Sequence, residues 1–181
     1  TITTADNTDT LTLTSTDADD AIGANLRIYR NSSSPANADN LGTIDFEGRN
    51  NNSQDVVYAQ IVSQINDVAD GAEDGILSLK AMIAGTSREG MRFSDGGVVF
   101  NELSQDIDFR VESNGNTHML FVDGGNNKVG IGESANAPMG TLHIKSADSG
   151  DTAIDGNNDD LVIENDNHAG ITISTPNDKV G

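Results

Sequence analysis

The sequence predicts an all-β protein made of many short strands. Its apolar residues alternate with polar ones, as in residues 10–15 (TLTLTS) and 26–29 (LRIY), and the runs end in Gly, Asn or Asp. Alternation places every second side chain on one face of a strand, whereas a helix spaces them by three and four. The 181 residues include five Phe, two Tyr and no Trp. Because aromatic side chains usually supply much of a buried core, we expect a thin core.

The first half of the chain is predicted to form hairpins. Pro35 lies in a polar loop over residues 31–40, where its missing N–H costs no ladder hydrogen bond. A helix is the alternative for Ile61, Ile65 and Val68, which recur at helical spacing. A strand is favoured because β-branched residues dominate and no N-cap precedes them. The predicted strands are residues 10–15, 26–29, 41–46, 56–68 and 76–83, with turns at 50–54 and 70–75.

Shorter strands follow from Met91 onward. They have three to five residues and are separated by turn-rich segments such as SDGG, SNGNT and DGGNN. Short strands at regular spacing are typical of a meander, a β-prism or a β-solenoid. The predicted strands are residues 91–93, 98–100, 109–112, 119–122, 129–131, 142–144, 161–164 and 171–174.

A faint internal repeat lies in this second half. Residues 109–130 and 161–181 both run strand, Glu, polar turn, His, strand, polar turn and Lys-Val-Gly. Two copies are too few for a solenoid, so neighbours would have to come from identical chains around a common axis. Val129 and Ile131 are expected to face that axis. The second copy stops at Lys-Val-Gly where the first continues, which suggests a segment of a longer polypeptide.

These observations divide the chain into two expected parts. Residues 1–100 form a hairpin-rich or β-sandwich-like module, and residues 101–181 form a repetitive β-shaft, either β-prism or β-helix-like. Short amphipathic strands cannot enclose a thick core alone, but three chains could enclose a thin one. We therefore expect an intertwined homotrimer.

Charge and composition exclude several classes of protein. Ten Lys and Arg against 29 Asp and Glu give a net charge of −19, which repels nucleic acid. No run approaches the roughly 20 apolar residues of a membrane-spanning helix. The absence of Cys excludes disulfides and thiolate metal sites. The same negative charge would keep an exposed rod soluble.

Two sets of sequence segments resemble those of a known protein family. Residues 26–61 (LRIYRNSSSPANADNLGTIDFEGRNNNSQDVVYAQI) and 67–79 (DVADGAEDGILSL) resemble a segment that recurs in tail-fibre and other virion structural proteins of marine tailed bacteriophages. Residues 91–102, 109–132 and 142–146 resemble the β-rich shaft sequences of the same proteins.

The resemblance implies a structural role on the exterior of the virion. Such fibres are generally homotrimers that join other tail or baseplate proteins to a receptor-binding tip, so the implied role is host attachment. The resemblance carries over no catalytic residues, because its motifs are turns and strands. A glycan-binding adhesin module and a capsid-surface decoration protein are the alternatives, and an enzyme is not expected.

Acidic residues are the most visible candidates for chemistry. Asp106 with Asp108, or Glu73 with Asp74, could act as the acid and base of a polysaccharide-cleaving tailspike. Acidic residues are so frequent here that solvated surface is the favoured interpretation. A structural calcium ion is the open alternative. Residues 155–159 match the opening of an EF-hand loop, although Asp160 and Asp166 break the pattern, and residues 17–20 and 67–75 are also rich in oxygen ligands.

Histidine and arginine are the remaining candidates. His118, His143 and His168 could line a threefold axis and bind a metal ion or anion, but isolated histidines are more often satisfied or exposed turn residues. The arginines could dock an acidic virion partner, but pairing with the surplus carboxylates is favoured. They are confined to the first part of the chain: Arg27, Arg30, Arg49, Arg88, Arg92 and Arg110.

Overall fold

The computed structural model describes residues 2–5, 9–20, 22–132, 138–150 and 160–172. Within those ranges it contains ten strands in two five-stranded sheets and no helix. The all-β prediction is confirmed. The first sheet, sheet 1, ends at Phe100, and the second, sheet 2, begins at Phe109.

Sheet 1 is an antiparallel meander in which each strand pairs with the next. The structure contains the hairpin predicted around residues 70–75. Ile61 and Ile65, for which a helix is the alternative prediction, lie in a long strand. The turn after Asn50 is closed by that side chain, whose Oδ1 accepts the N–H groups of Asn52 and Gln54. The strands are β1 (Asn40–Arg49), β2 (Asp55–Asp67), β3 (Asp74–Ile83), β4 (Thr86–Ser94) and β5 (Gly97–Phe100).

Sheet 2 combines two kinds of pairing. Its first three strands form antiparallel hairpins, and its last three are parallel, in the order β10-β9-β8-β7-β6. Parallel neighbours require the chain to cross back between strands. The strands are β6 (Phe109–Val111), β7 (Leu120–Asp123), β8 (Lys128–Gly132), β9 (Leu142–Lys145) and β10 (Leu161–Glu164).

Three predicted strands are not found. Residues 10–15 and 26–29 belong to no strand, and Leu11, Leu13 and Leu26 are 50–63% exposed. Residues 171–172 also belong to no strand, and residues 173–174 lie outside the described ranges. A period-two pattern specifies which side chains share a face, but a strand also needs a partner edge, and no described segment supplies one to these residues.

Very little of the described chain is a hydrophobic core. Val62 and Phe121 are its two buried hydrophobic side chains. Four buried polar residues accompany them: Ser78, Glu89, His143 and Glu164. The sheets therefore bury polar clusters on one side and leave most apolar side chains accessible.

Gly132 is required where β8 passes β9. Its φ is +107°, and a Cβ at this position would overlap the carbonyl oxygen of Lys145. We expect Gly132→Ala to lower the free energy of unfolding by about 3 kcal/mol, through backbone strain and overpacking. Gly115 has open space around its Cβ position. Gly115→Ala is the control, and urea unfolding that changes equally in both variants would contradict the prediction.

Candidate functional site: two exposed apolar faces

Sheet 1 has one almost entirely apolar side, here called face 1. Its pairings align one residue from each strand in a central row: Ile44, Ile61, Leu79, Met91 and Phe100. The rest of face 1 lies on either side of that row and includes one charged residue, Arg88: Phe46, Ala59, Ser63, Leu77, Ala81, Arg88, Phe93 and Val98. Many of its side chains are exposed, Phe46 by 55% and Val98 by 53%, while Ile28 packs at Gly42 and Ile107 lies beside Met91.

Sheet 2 has a more regular apolar side, here called face 2. Its pairings align two rows across all five strands: Phe109, Val122, Val129, Leu142 and Leu161 in the first, and Val111, Leu120, Ile131, Ile144 and Ile163 in the second. Every position is apolar, and none of the ten side chains is buried. Val129 and Ile131, which were expected to face an axis, both belong to face 2.

The two faces meet at one aromatic contact. The rings of Phe100 on face 1 and Phe109 on face 2 have centroids 4.7 Å apart. Elsewhere the strands of sheet 1 make no extensive contact with those of sheet 2. The described strands therefore do not form a sandwich in which one sheet covers the apolar face of the other.

The opposite side of sheet 1 buries a carboxylate. Glu89 is 2% exposed, and its Oε2 accepts the hydroxyl of Ser78 at 2.5 Å. The guanidinium of Arg92 donates to both oxygens of Glu89, at 2.8 and 3.3 Å. A buried charge is tolerated when it is paired and hydrogen-bonded in this way. The cluster fixes β3 against β4.

The opposite side of sheet 2 buries a second carboxylate, Glu164. His143 Nε2 lies 2.9 Å from its Oε2, while its Oε1 accepts the N–H and hydroxyl of Ser149 and lies 3.2 Å from Lys145 Nζ. Burial favours the neutral acid, but the hydrogen bonds from Ser149 and Lys145 outweigh it and lower the pKa of Glu164 from 4.5 to about 2. The cluster joins β9, β10 and the loop after β9.

His143 is held at both of its ring nitrogens. The Met139 N–H donates to Nδ1 at 3.4 Å, and Nε2 lies 2.9 Å from Glu164 Oε2. With Lys128 Nζ donating to the Pro138 carbonyl at 2.9 Å, the segment from residue 138 lies over this side of sheet 2. The described loops thus cover the polar side of the sheet and leave face 2 open.

The carboxylate pairs considered for hydrolysis have structural roles here. Asp108 Oδ1 accepts the Gly124 N–H at 3.1 Å, and Glu73 Oε2 accepts the Gly71 N–H at 3.1 Å. Asp74 begins β3 opposite Asp67. A Cβ on Gly125 would lie 2.7 Å from Asp106 Oδ1, so Asp106 packs closely on the turn after β7.

A cleft of about 480 Å³ lies at the junction of the sheets. Phe100, Phe109 and Asp108 line it, together with the amide residues Asn101 and Gln105. Both amides are engaged locally: Asn101 Nδ2 donates to the Gln105 carbonyl, and Gln105 Oε1 accepts from Arg88. The size is that of a small-molecule pocket.

The structure does not bring the candidate metal ligands together. His143 is buried in the Glu164 cluster, His118 packs edge-on against Phe121 at 5.2 Å, and His168 is exposed. No group of three or more His, Asp or Glu that could hold a metal ion occurs among the described residues. The EF-hand-like residues 155–159 lie outside those residues.

Most arginines pair with carboxylates of their own chain, as favoured from the sequence. Arg30 lies 3.0 Å from Asp39, and Arg27 stacks on the ring of Tyr29 at 4.5 Å. Arg88 bonds to Gln105 instead of an acid. The other pairs are Arg49–Asp55, Arg92–Glu89 and Arg110–Glu112.

Comparisons with known proteins assign no family. No protein-family model matches the chain, and no curated protein matches it. Among the described residues there is no helix long and apolar enough to cross a membrane. Fold and site define only a class: an all-β chain whose two sheets each leave an apolar face uncovered.

Sequence reasoning missed the buried carboxylates Glu89 and Glu164. Each stands among many acids, and its environment depends on partners 3 to 21 residues away along the chain. One signal was available for Glu164: it ends the apolar run LVIE, where the strand alternation places it on the side opposite Leu161 and Ile163.

Proposed function

We propose that this chain is a structural component of a tailed-phage virion, an intertwined homotrimeric tail fibre that holds or presents the receptor-binding tip. One observation carries the proposal. Faces 1 and 2 are apolar surfaces that the described chain leaves largely exposed. Three chains would bury these faces against one another.

The proposed mechanism is assembly and presentation, without catalysis. Apolar burial between chains would supply stability that each chain lacks alone, so folding and association would be coupled. The net charge of −19 would keep the exposed polar sides apart from neighbouring fibres. The resemblance of residues 26–61 and 109–132 to phage fibre sequences supplies the virion context, external on the particle and joined to other tail or baseplate proteins.

A glycan-binding module is the second candidate. The cleft at the sheet junction supports it, because Phe100 and Phe109 offer ring surface and Asp108 offers hydrogen-bond acceptors. The two proposals differ in one property: an adhesin binds host cells as a purified fragment, whereas a shaft segment does not. A capsid decoration protein would instead co-purify with heads.

The mass of the purified chain in solution tests the fibre proposal. We expect light scattering to give three times 19.0 kDa, with sedimentation indicating an elongated particle. The reason is that faces 1 and 2 are largely uncovered within the described chain. A compact monomer at all concentrations would contradict the homotrimer and favour the decoration or glycan-binding alternative.

A further inference from the structure

We propose that face 2 is the surface through which copies of this chain associate, packing against face 2 of the other copies. This inference rests on the proposed trimer and names its interface. The four pairings within sheet 2 have no register shift, whereas three of the four in sheet 1 contain at least one. Face 2 is therefore two unbroken apolar rows on a regular sheet, suited to packing on an identical surface.

The described chain covers little of face 2: residues from the segment 101–108 line a cleft with Phe109 and Val122 at one end of it. The segment from residue 138 lies on the opposite side of the sheet, held by Lys128, His143 and Glu164. Sheet 1 touches sheet 2 at its first strand through Phe100 and Phe109 but does not fold over it.

Charge favours another copy of this chain as the occupant of face 2. Face 2 has no charged or polar position, and the charged side chains of sheet 2 lie on the other side: Arg110, Asp123, Lys128, Lys145 and Glu164. Copies of a chain with net charge −19 can therefore meet here without opposing like charges. Face 2 supplies ten apolar side chains per chain to such an interface.

The absence of cysteine makes this interface directly testable. Ile131→Cys and Ile144→Cys place single thiols on face 2, where the native side chains are 38% and 37% exposed in the isolated chain. Arg110→Cys is the matched control, because its side chain is 48% exposed and lies on the opposite side. The rate of reaction with a charged, water-soluble maleimide is measured for each native protein, alongside its mass by light scattering.

We expect both face 2 thiols to react at least about tenfold more slowly than the control in the oligomer, and at equal rates after urea unfolding. An oligomer in which all three thiols react at the same rate would overturn the inference while leaving the proposed trimer intact. A monomer would overturn both. Protection within a monomer would mean that a part of the same chain covers face 2.

Discussion

Lysine in place of Ile131 is expected to prevent association, so that the mass in solution falls from three chains to one. Ile131 lies in the second row of face 2, between Leu120 and Ile144. Around a threefold axis the substitution would bring three ammonium groups into an apolar interface with no partner. Burying one unpaired charge costs several kcal/mol, which exceeds the stabilisation gained by burying a neighbouring apolar side chain.

Met119→Lys is the matched control for this variant. Met119 is 44% exposed, close to the 38% of Ile131, but it precedes β7 and belongs to neither row of face 2. Both substitutions change the net charge by the same amount, so a general electrostatic effect would affect them equally. An Ile131→Lys protein that keeps the mass and melting temperature of the parent would remove face 2 from the assembly.

Local patterns were enough to predict most strands. β2 and β3 were predictable because the turn residues of DGAEDG separate two β-branched runs, which forces adjacent pairing. The strands of sheet 2 were likewise marked by short alternating runs between Gly and Asn turns. In both cases the information lies within a few residues of the strand.

Non-local pairing was not predictable in the same way. Residues 10–15 alternate as well as any strand in the protein, yet no described edge pairs with them. The parallel alignment of Val129 with Leu142 and of Leu142 with Leu161 depends on connections of different length. Because register decides which side chains are neighbours, faces 1 and 2 became recognisable as continuous surfaces only from the structure.

The two sides of each sheet have different consequences for stability. The polar sides are stabilised within the chain, by Glu89 with Arg92 in sheet 1 and by Glu164 with Lys145 in sheet 2. The apolar faces would be stabilised by other chains. Substitutions on the two sides should therefore have different effects. Those on the polar sides should lower the free energy of unfolding at any protein concentration, whereas those on face 2 should act by weakening association between chains.

Acid is expected to weaken the fold through Glu164 as the pH falls from about 5 to about 2. The pKa of this carboxyl is about 2 in the folded chain and 4.5 ordinarily, because the hydrogen bonds from Ser149 and Lys145 outweigh burial. A carboxyl whose pKa is lowered by folding contributes its full stabilisation above the unfolded pKa. That contribution is lost as the pH falls through the folded value. His143 and Lys145 are the titratable neighbours that face it.

Glu164→Gln is expected to lower stability at pH 7 by about 2 kcal/mol and to flatten the acid dependence, because the amide cannot ionise and one of its groups no longer accepts a hydrogen bond. Glu112→Gln is the control, since Glu112 is half exposed and pairs with Arg110 at the surface. Urea midpoints between pH 7 and pH 2 separate the two variants. If the parent and Glu164→Gln lose stability in parallel over this range, the acid sensitivity belongs to other carboxylates and Glu164 does not anchor the loop after β9. If the slope flattens only in Glu164→Gln, the buried carboxylate stabilises sheet 2 from its polar side, independently of whatever covers face 2.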